Sequence, residues 1–367
     1  MELTQARVLE ILRPVKDPEL NRSMVELGMI KDVVVHSPRE VSIKVELTTP
    51  ACPLKEPIEK SLREALAASG VALSEITWGA QVRAPPGAQS VLLPEVKNVI
   101  LVGSGKGGVG KSTVAANLAV ALAKLGAKTG LLDADIYGPS MPLMMGLYGK
   151  RPASPDGKII DPLMAHGVSV MSIGFFVDPQ QAMIWRGPML HGALVQLLRD
   201  VRWGALDYLV LDLPPGTGDI QLTISQQVKC AGAVIVTTPQ DVALADAIKA
   251  KAMFDKVDIP VLGIVENMSY FECPHCHTST EIFSRGGAAK AAEKLCVPYL
   301  GEVPIHVDVR VGGDAGVPIV VSHPESTEAR QFMRIAGVVA DRISVTNMQG
   351  KQAGEAYHLP IAAVAGR

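Results

Sequence analysis

The stretch Gly103-Ser104-Gly105-Lys106-Gly107-Gly108-Val109-Gly110-Lys111-Ser112-Thr113 limits the possible folds of this chain more than any other feature. Val96 to Val102 ahead of it is an apolar, largely β-branched run of strand length. Val114 to Lys124 behind it repeats Ala and Leu at helical spacing. The order is strand, glycine loop, helix. From Gly105 the loop reads Gly, four residues, then Gly-Lys-Ser, the phosphate-loop pattern in its expected structural context. Gly105, Gly107, Gly108 and Gly110 let backbone N–H groups turn inward around phosphate oxygens, and Val109, Ser112 and Thr113 complete the cradle at the positive end of the helix dipole. Lys111 is expected to reach the β and γ phosphates, and Ser112 to offer its hydroxyl to Mg²⁺.

Lys106 is a second cation in the same loop. Buried beside Lys111 without a polyanion, it would suffer like-charge repulsion or force one lysine neutral, so two lysines point to a triphosphate.

Strand-like runs alternate with helices from Val96 onward: Thr129 to Asp133, Val168 to Ile173, Tyr208 to Asp212, Ala233 to Thr237 and Val261 to Val265. Near-continuous apolar strands separated by helices imply an α/β, doubly wound, mostly parallel sheet with both faces covered. Ligands of such sheets sit at the carboxyl ends of the strands, where three further motifs fall. Asp133-Ala134-Asp135-Ile136-Tyr137-Gly138-Pro139-Ser140 offers a carboxylate that can orient water or hold Mg²⁺, or else caps the next helix. Asp212-Leu213-Pro214-Pro215-Gly216-Thr217-Gly218-Asp219 follows a buried strand in the Walker B manner, with Asp212 directed at Mg²⁺ through water and the Gly216 N–H a candidate sensor of the γ-phosphate. Asn267 in Glu266-Asn267-Met268-Ser269 can pair with the adenine amino group and N7 at once, and no Asn-Lys-x-Asp guanine signature occupies this position. ATP is the expected nucleotide.

Cys273-Pro274-His275-Cys276-His277 carries two thiols at metal-clamping spacing, but a closed zinc site or a [4Fe-4S] cluster needs four ligands and there is no second C-x-x-C. His275 or His277 could complete a local zinc site, the pair could be a redox dithiol, or a two-fold dimer could unite two pairs. Cys230 and Cys296 sit in apolar helical surroundings and are expected in the core.

Residues 1–84 read as a small α+β domain, with helices at Ala6 to Leu12 and Leu54 to Ala68 and strands at Ile30 to Val35 and Val41 to Leu47. Asp17-Pro18-Glu19-Leu20 and Thr48-Thr49-Pro50-Ala51-Cys52-Pro53 are too particular for filler, and the helix starting after Cys52 should lower its thiol pKa. Residues 85–95 have linker composition, residues 96–344 form the large domain, and residues 345–367 lose periodicity and read as a poorly ordered tail. A net charge of -2 supplies no basic surface for nucleic acid, no apolar run has membrane-spanning length, and five cysteines fit reduced thiols. The expectation is a cytoplasmic chain without nucleic-acid or membrane partners.

The two-lysine loop resembles the deviant Walker A of the MinD/Mrp branch of P-loop ATPases, and the 133–140, 212–219 and 273–276 segments resemble those of the Mrp/ApbC family in the same order. Trp185-Arg186-Gly187-Pro188-Met189 resembles another family segment. The small domain resembles an iron–sulfur assembly domain through its Asp-Pro-Glu and Thr-x-x-Cys-Pro motifs, which makes Cys52 a candidate functional thiol. The resemblance implies a nucleotide-sandwich homodimer in which Lys106 contacts the facing subunit's nucleotide. It further implies that Asp135 positions the attacking water with Asp133 in support, that Asn267 contacts adenine, and that Cys273 and Cys276 share a bridging [4Fe-4S] cluster delivered to apoproteins with assembly factors. Lys106, Lys111 and Asp135 would then form the catalytic group of a slow ATPase. A positioning or partition ATPase would want a basic C-terminal helix that Ala353 to Arg367 does not supply. A zinc-stabilised switch without a cluster would use the same two thiols.

Overall fold

Two alternating patterns, one of period two near the amino terminus and one of unbroken apolar runs further on, produce two separate cores. The computed structural model describes residues 3–85, 91–176, 187–216, 219–273, 275–276 and 278–349. In the small domain α1 (Gln5–Leu12) is capped by Thr4, whose hydroxyl accepts from Arg7 N. β1 (Ile30–Ser37) and β2 (Glu40–Leu47) pair antiparallel, and β2 buries Val41, Ile43, Val45 and Leu47 under α2 (Lys55–Ala67), which contributes Ile58, Leu62 and Leu66. A third strand, β3 (Ala72–Ala80), lies parallel to β2. The sequence reading misses it because only Leu73 of its nine residues is buried, so its alternation is faint.

The large domain starts with β4 (Val96–Gly103), the glycine loop and α3 (Lys111–Lys124), whose run Val114 to Leu122 is buried all round. There follow β5 (Thr129–Asp133), α4 (Met141–Met144), β6 (Leu163–Ala165), β7 (Val168–Ser172), α5 (Gly187–Arg199), β8 (Leu206–Asp212), α6 (Asp219–Gln227), β9 (Gly232–Thr237), α7 (Asp241–Lys256), β10 (Val261–Glu272), β11 (Ser279–Thr280), α8 (Gly287–Lys294), β12 (Tyr299–Ile305), α9 (Val307–Ala315), α10 (Ile319–Ser322) and α11 (Thr327–Gln349). The strand order is β11-β10-β9-β4-β8-β5-β7-β6, with β12 also on β10, and all pairs are parallel except β6 with β7 and β10 with β11. This is the expected doubly wound α/β sheet. β4 stands between β9 and β8, which places the glycine loop at the centre of the carboxyl edge.

The domains meet at the Thr49 to Pro53 turn. Ala51 belongs to the large core, Thr49 Oγ1 lies 3.1 Å from Tyr208 Oη, and a Cβ on Gly337 of α11 would come within 3.1 Å of Ala51 O. α11 continues five residues beyond Ser344, where the sequence reading places the tail, and Asn347 donates to Arg83 O (2.8 Å) and Asn98 Oδ1 (3.0 Å). The polar final turn hides the helix from a periodicity argument, while backbone capture holds it in place; residues 350–367 lie outside the described residues. No helix among the described residues is long and apolar enough to cross a membrane.

Candidate functional site

Sheet register assembles the acidic side of the site. β5 and β8 are neighbours with Asp133 opposite Asp212, and β8 pairs with β4 so that Asp212 is level with Val102, just before the loop. Two strand-end carboxylates thus face the start of α3. Lys111 is 6% exposed; its Nζ lies 2.5 Å from Asp212 Oδ1 and 3.8 Å from Asp135 Oδ2. Ser112 Oγ donates to Asp212 Oδ2 at 2.6 Å. Burial pushes the Asp212 carboxyl up, opposed by the Lys111 ammonium and the two hydrogen bonds.

The carboxylates answer the charge problem posed by the sequence. Lys106 is half-buried rather than buried and makes no ion pair with the described residues, while Lys111 is compensated by Asp212 and Asp135. Strand-end carboxylates therefore do the neutralising that the sequence reading assigns to a triphosphate alone. Asp212 and Ser112 bring together two hard oxygen donors that could hold Mg²⁺.

The two aspartates of the 133–140 segment divide their roles. Asp133 is fully buried and accepts from Met141 N (3.1 Å), Ser172 Oγ (3.0 Å) and Asp135 N (3.2 Å). Its carboxyl is pushed up to about 7 by burial and by Asp212, against those hydrogen bonds. All its bonds are structural, which is the capping arrangement weighed above. Asp135 is only partly buried, accepts from Gly138 N at 3.3 Å, and has Oδ2 3.8 Å from Lys111 Nζ. Burial raises its pKa and Lys111 opposes the rise.

The loop is shaped by its neighbours. Gly110 has φ 80°, and a Cβ there would sit 2.1 Å from Asn267 Nδ2, which donates to Val109 O at 2.9 Å. Asn267 thus grips the phosphate loop itself. A Cβ on Gly105 would meet the Asp246 carbonyl of α7 at 2.1 Å, so that glycine is required by a packed helix as well as by phosphate. Gly216 N donates to Ser104 O at 3.0 Å, so the hydrogen expected to read a γ-phosphate is held by the loop. Thr217, Gly218, Trp185 and Arg186 lie outside the described residues.

Cys273 and Cys276 occupy the turn beyond β10. Cys273 N donates to Thr278 O (3.1 Å), Cys276 Sγ lies 3.2 Å from Thr278 Oγ1, and hydrogen bonds from Thr278 and Cys273 bring the exposed Cys276 thiol down to about 7. Thiols of this character suit soft metals. His275 is exposed, Pro274 and His277 lie outside the described residues, and no group of three His, Cys, Asp or Glu side chains among the described residues is arranged to hold a metal.

Three cysteine expectations are corrected or refined. The Cys52 thiol is pushed up, not down: burial and Glu19, whose Oε1 is 4.0 Å away, outweigh the start of α2. Cys296 is exposed, because it takes φ 51° just past the end of α8, a left-handed exit that helical spacing cannot reveal. Cys230 is half-buried against the large core, and burial pushes its thiol up to about 12. One cluster escapes the sequence reading altogether: Glu19 is hydrogen-bonded to Asp341 of α11, with Asp17 close by. The Asp-Pro-Glu motif signals half of it; nothing in the sequence connects it to a helix more than three hundred residues later.

Comparison with known proteins agrees with this geometry. The family model described as NUBPL iron-transfer P-loop NTPase matches residues 95–340, and that described as iron-sulfur cluster assembly protein matches residues 5–72. The chain is 52% identical to an iron-sulfur cluster carrier protein of Synechocystis over 94% of its own length and 99% of the relative's, and 51% identical to one of Deinococcus radiodurans over 93% and 96%. A solved nucleotide-binding protein of Archaeoglobus fulgidus in complex with ADP is 44% identical, with a TM-score of 0.54 over 60% of this chain and 87% of that one. The chain therefore belongs to the NUBPL iron-transfer P-loop NTPase family, with an iron–sulfur cluster assembly domain ahead of the NTPase.

Proposed function

We propose that this protein binds and slowly hydrolyses ATP and carries an iron–sulfur cluster to apoproteins. The observation that carries the reading is β10: one strand grips the phosphate loop through Asn267 and leads directly into the thiol pair of half-buried Cys273 and exposed Cys276, at soft-metal spacing. The names of the relatives, iron-sulfur cluster carrier proteins at about half identity over nearly full length, support the same cargo.

In this reading Lys111 leaves Asp212 for the β and γ phosphates, and Asp135 aligns the attacking water. Mg²⁺, when bound by Ser112 and, through water, Asp212, supplies charge neutralisation on the phosphates. The Gly216 N–H exchanges Ser104 O for the γ-phosphate, Lys106 crosses to the nucleotide of a second subunit, and Asn267 reads adenine. Two chains then supply four thiolates, Cys273 and Cys276 from each, for a bridging [4Fe-4S] cargo.

Anaerobic iron, sulfide and zinc analysis of the wild type and of Cys273→Ser/Cys276→Ser tests the cargo. About four irons and four sulfides per dimer, absent from the variant, are expected. Stoichiometric zinc surviving cluster reconstitution would replace the carrier reading with a zinc-stabilised switch.

A further inference from the structure

β10 is irregular between its two functional ends. Asn267 pairs with Val303 of β12, but the next partners are Phe271 and Ile305, so four steps along β10 are matched by two along β12. The surplus is taken up at Met268, Ser269 and Tyr270. Met268 adopts φ 56°, a left-handed conformation strained for a residue of this size. Bulges of this kind re-aim the residues beyond them and concentrate beside functional sites.

Side chains from three elements hold the bulge. Ser269 is fully buried, with Oγ 2.7 Å from Glu266 Oε1 and 2.7 Å from Glu302 Oε2 on β12. Glu266 accepts from Gly286 N (2.9 Å) and Ala288 N (2.7 Å) at the start of α8. Arg285 is ion-paired to Glu302, Nε to Oε2 at 3.2 Å, and its guanidinium lies 4.2 Å over the Tyr270 ring. The segment bearing Cys273 and Cys276 therefore leaves from the bulge at one end and is tied back to it by Arg285 and Gly286 at the other. On the far side of Met268, Asn267 holds Val109 O of the phosphate loop.

We infer that this bulge is a relay: reorganisation of the phosphate loop around nucleotide moves Asn267, shifts the strained Met268–Ser269 segment against β12, and changes the exposure of the two thiols. Met268 and Ser269 are positioning residues, acting through Asn267 and β12, and Met268 Cε lies 3.6 Å from where a Cβ on Gly110 would stand. A packed strand pinned at both ends responds by switching between registers rather than by stretching, so a small displacement at the loop becomes a discrete one at the hairpin. The use of the thiols for cargo rests on the function proposed above; the relay itself does not require a cluster.

The test uses cluster-free, full-length protein under anaerobic conditions. Alkylation of Cys273 and Cys276 by iodoacetamide is followed by peptide mass spectrometry with and without Mg-ATP, and exposed Cys296 serves as internal control. In the wild type ATP is expected to change the rates at Cys273 and Cys276 by about fivefold or more, with Cys296 unchanged. Ser269→Ala removes the hydroxyl joining Glu266 to Glu302, and Met268→Gly removes the strain while tolerating the same φ. Both should bind ATP with wild-type affinity and lose the ATP effect on the two thiols. An ATP-independent wild type, or variants that keep the full effect, would overturn the relay. Iron and sulfide content after reconstitution judges the cargo separately: ATP-responsive thiols in a chain that takes up no cluster would leave the relay standing and remove the carrier reading.

Discussion

Two groups of buried carboxyls in this molecule meet the same physical problem with different counter-charges. At the nucleotide site Asp133, Asp135 and Asp212 converge on Lys111, and the ammonium opposes the rise that burial imposes on the Asp212 carboxyl at 0% exposure. At the domain interface Asp17, Glu19 and Asp341 gather beside Cys52, and the Arg342 guanidinium opposes only the rise at Asp341, leaving Glu19 to be held by its proton. Burial and the bond to Asp341 push the Glu19 carboxyl up to about 11, and burial raises Asp341 to about 6. Asp341 Oδ1 is buried without a hydrogen-bond partner among the described residues. An ion pair waits for a ligand that will displace it, whereas a shared proton holds a contact that needs no ligand. The first group belongs to a site that must exchange partners; the second fastens two domains and keeps Cys52 a neutral thiol.

The largest effect should come from removing the cation. Lys111→Met strands Asp212 and Asp135 in a buried site, a loss of about 3–5 kcal/mol, visible as a lowered urea midpoint together with loss of ATP binding. An unchanged midpoint would mean that the carboxylates take up protons as readily as those at the interface, and the contrast would collapse.

The interface should instead declare itself through pH. Glu19 holds its proton in the folded chain up to about 11, against 4.5 for the ordinary carboxyl, so the folded state binds more protons than the unfolded one across that window. The Glu19 contribution to stability therefore falls as pH rises, by up to about 1.4 kcal/mol per pH unit. Asp341 adds the same sign only to about 6 and Asp133 only to about 7, whereas Cys276, brought down to about 7 from 9.0, contributes the opposite sign between pH 7 and 9, so the Glu19 proton is read as the difference between the wild type and Glu19→Gln across that window. Glu19→Gln, whose amide donates to Asp341 as the protonated acid does, should have a slope more positive than the wild type's by up to about 1.4 kcal/mol per pH unit in that window. Equal slopes in the two proteins would move the proton elsewhere.

The smallest expected change is Thr49→Val, which deletes the bond to Tyr208 and the support of Ala51 N at nearly constant shape. About 1 kcal/mol should be lost, with iodoacetamide reaching Cys52 faster as docking loosens. No change in Cys52 reactivity would separate the thiol from the interface.

Much of the nucleotide site was legible because its parts are local. A strand, a glycine loop and a helix are contiguous, and an apolar run ending in aspartate marks the carboxyl edge wherever it occurs. The roles within the 133–140 segment were not legible, since which aspartate is spent on Met141 and Ser172 depends on β7 lying beside β5. The pKa of Cys52 was misread for a related reason: a helix start is visible in sequence, but the burial and the Glu19 carboxyl that overrule it come from folding. Met268 carries no signal of its own, because an unbranched side chain in a strand gives no hint of a left-handed φ.

The sequence by itself determined the α/β class, the phosphate loop, the spacing of the thiol pair and the existence of a separate small domain, since each depends on neighbours within a few residues. Tertiary structure alone decided that Lys111 rests on Asp212, that Asn267 grips the loop leading to it, and that Glu19 is hydrogen-bonded to Asp341. Those contacts join residues 101, 158 and 322 positions apart, and only strand order and burial bring such pairs within hydrogen-bonding distance.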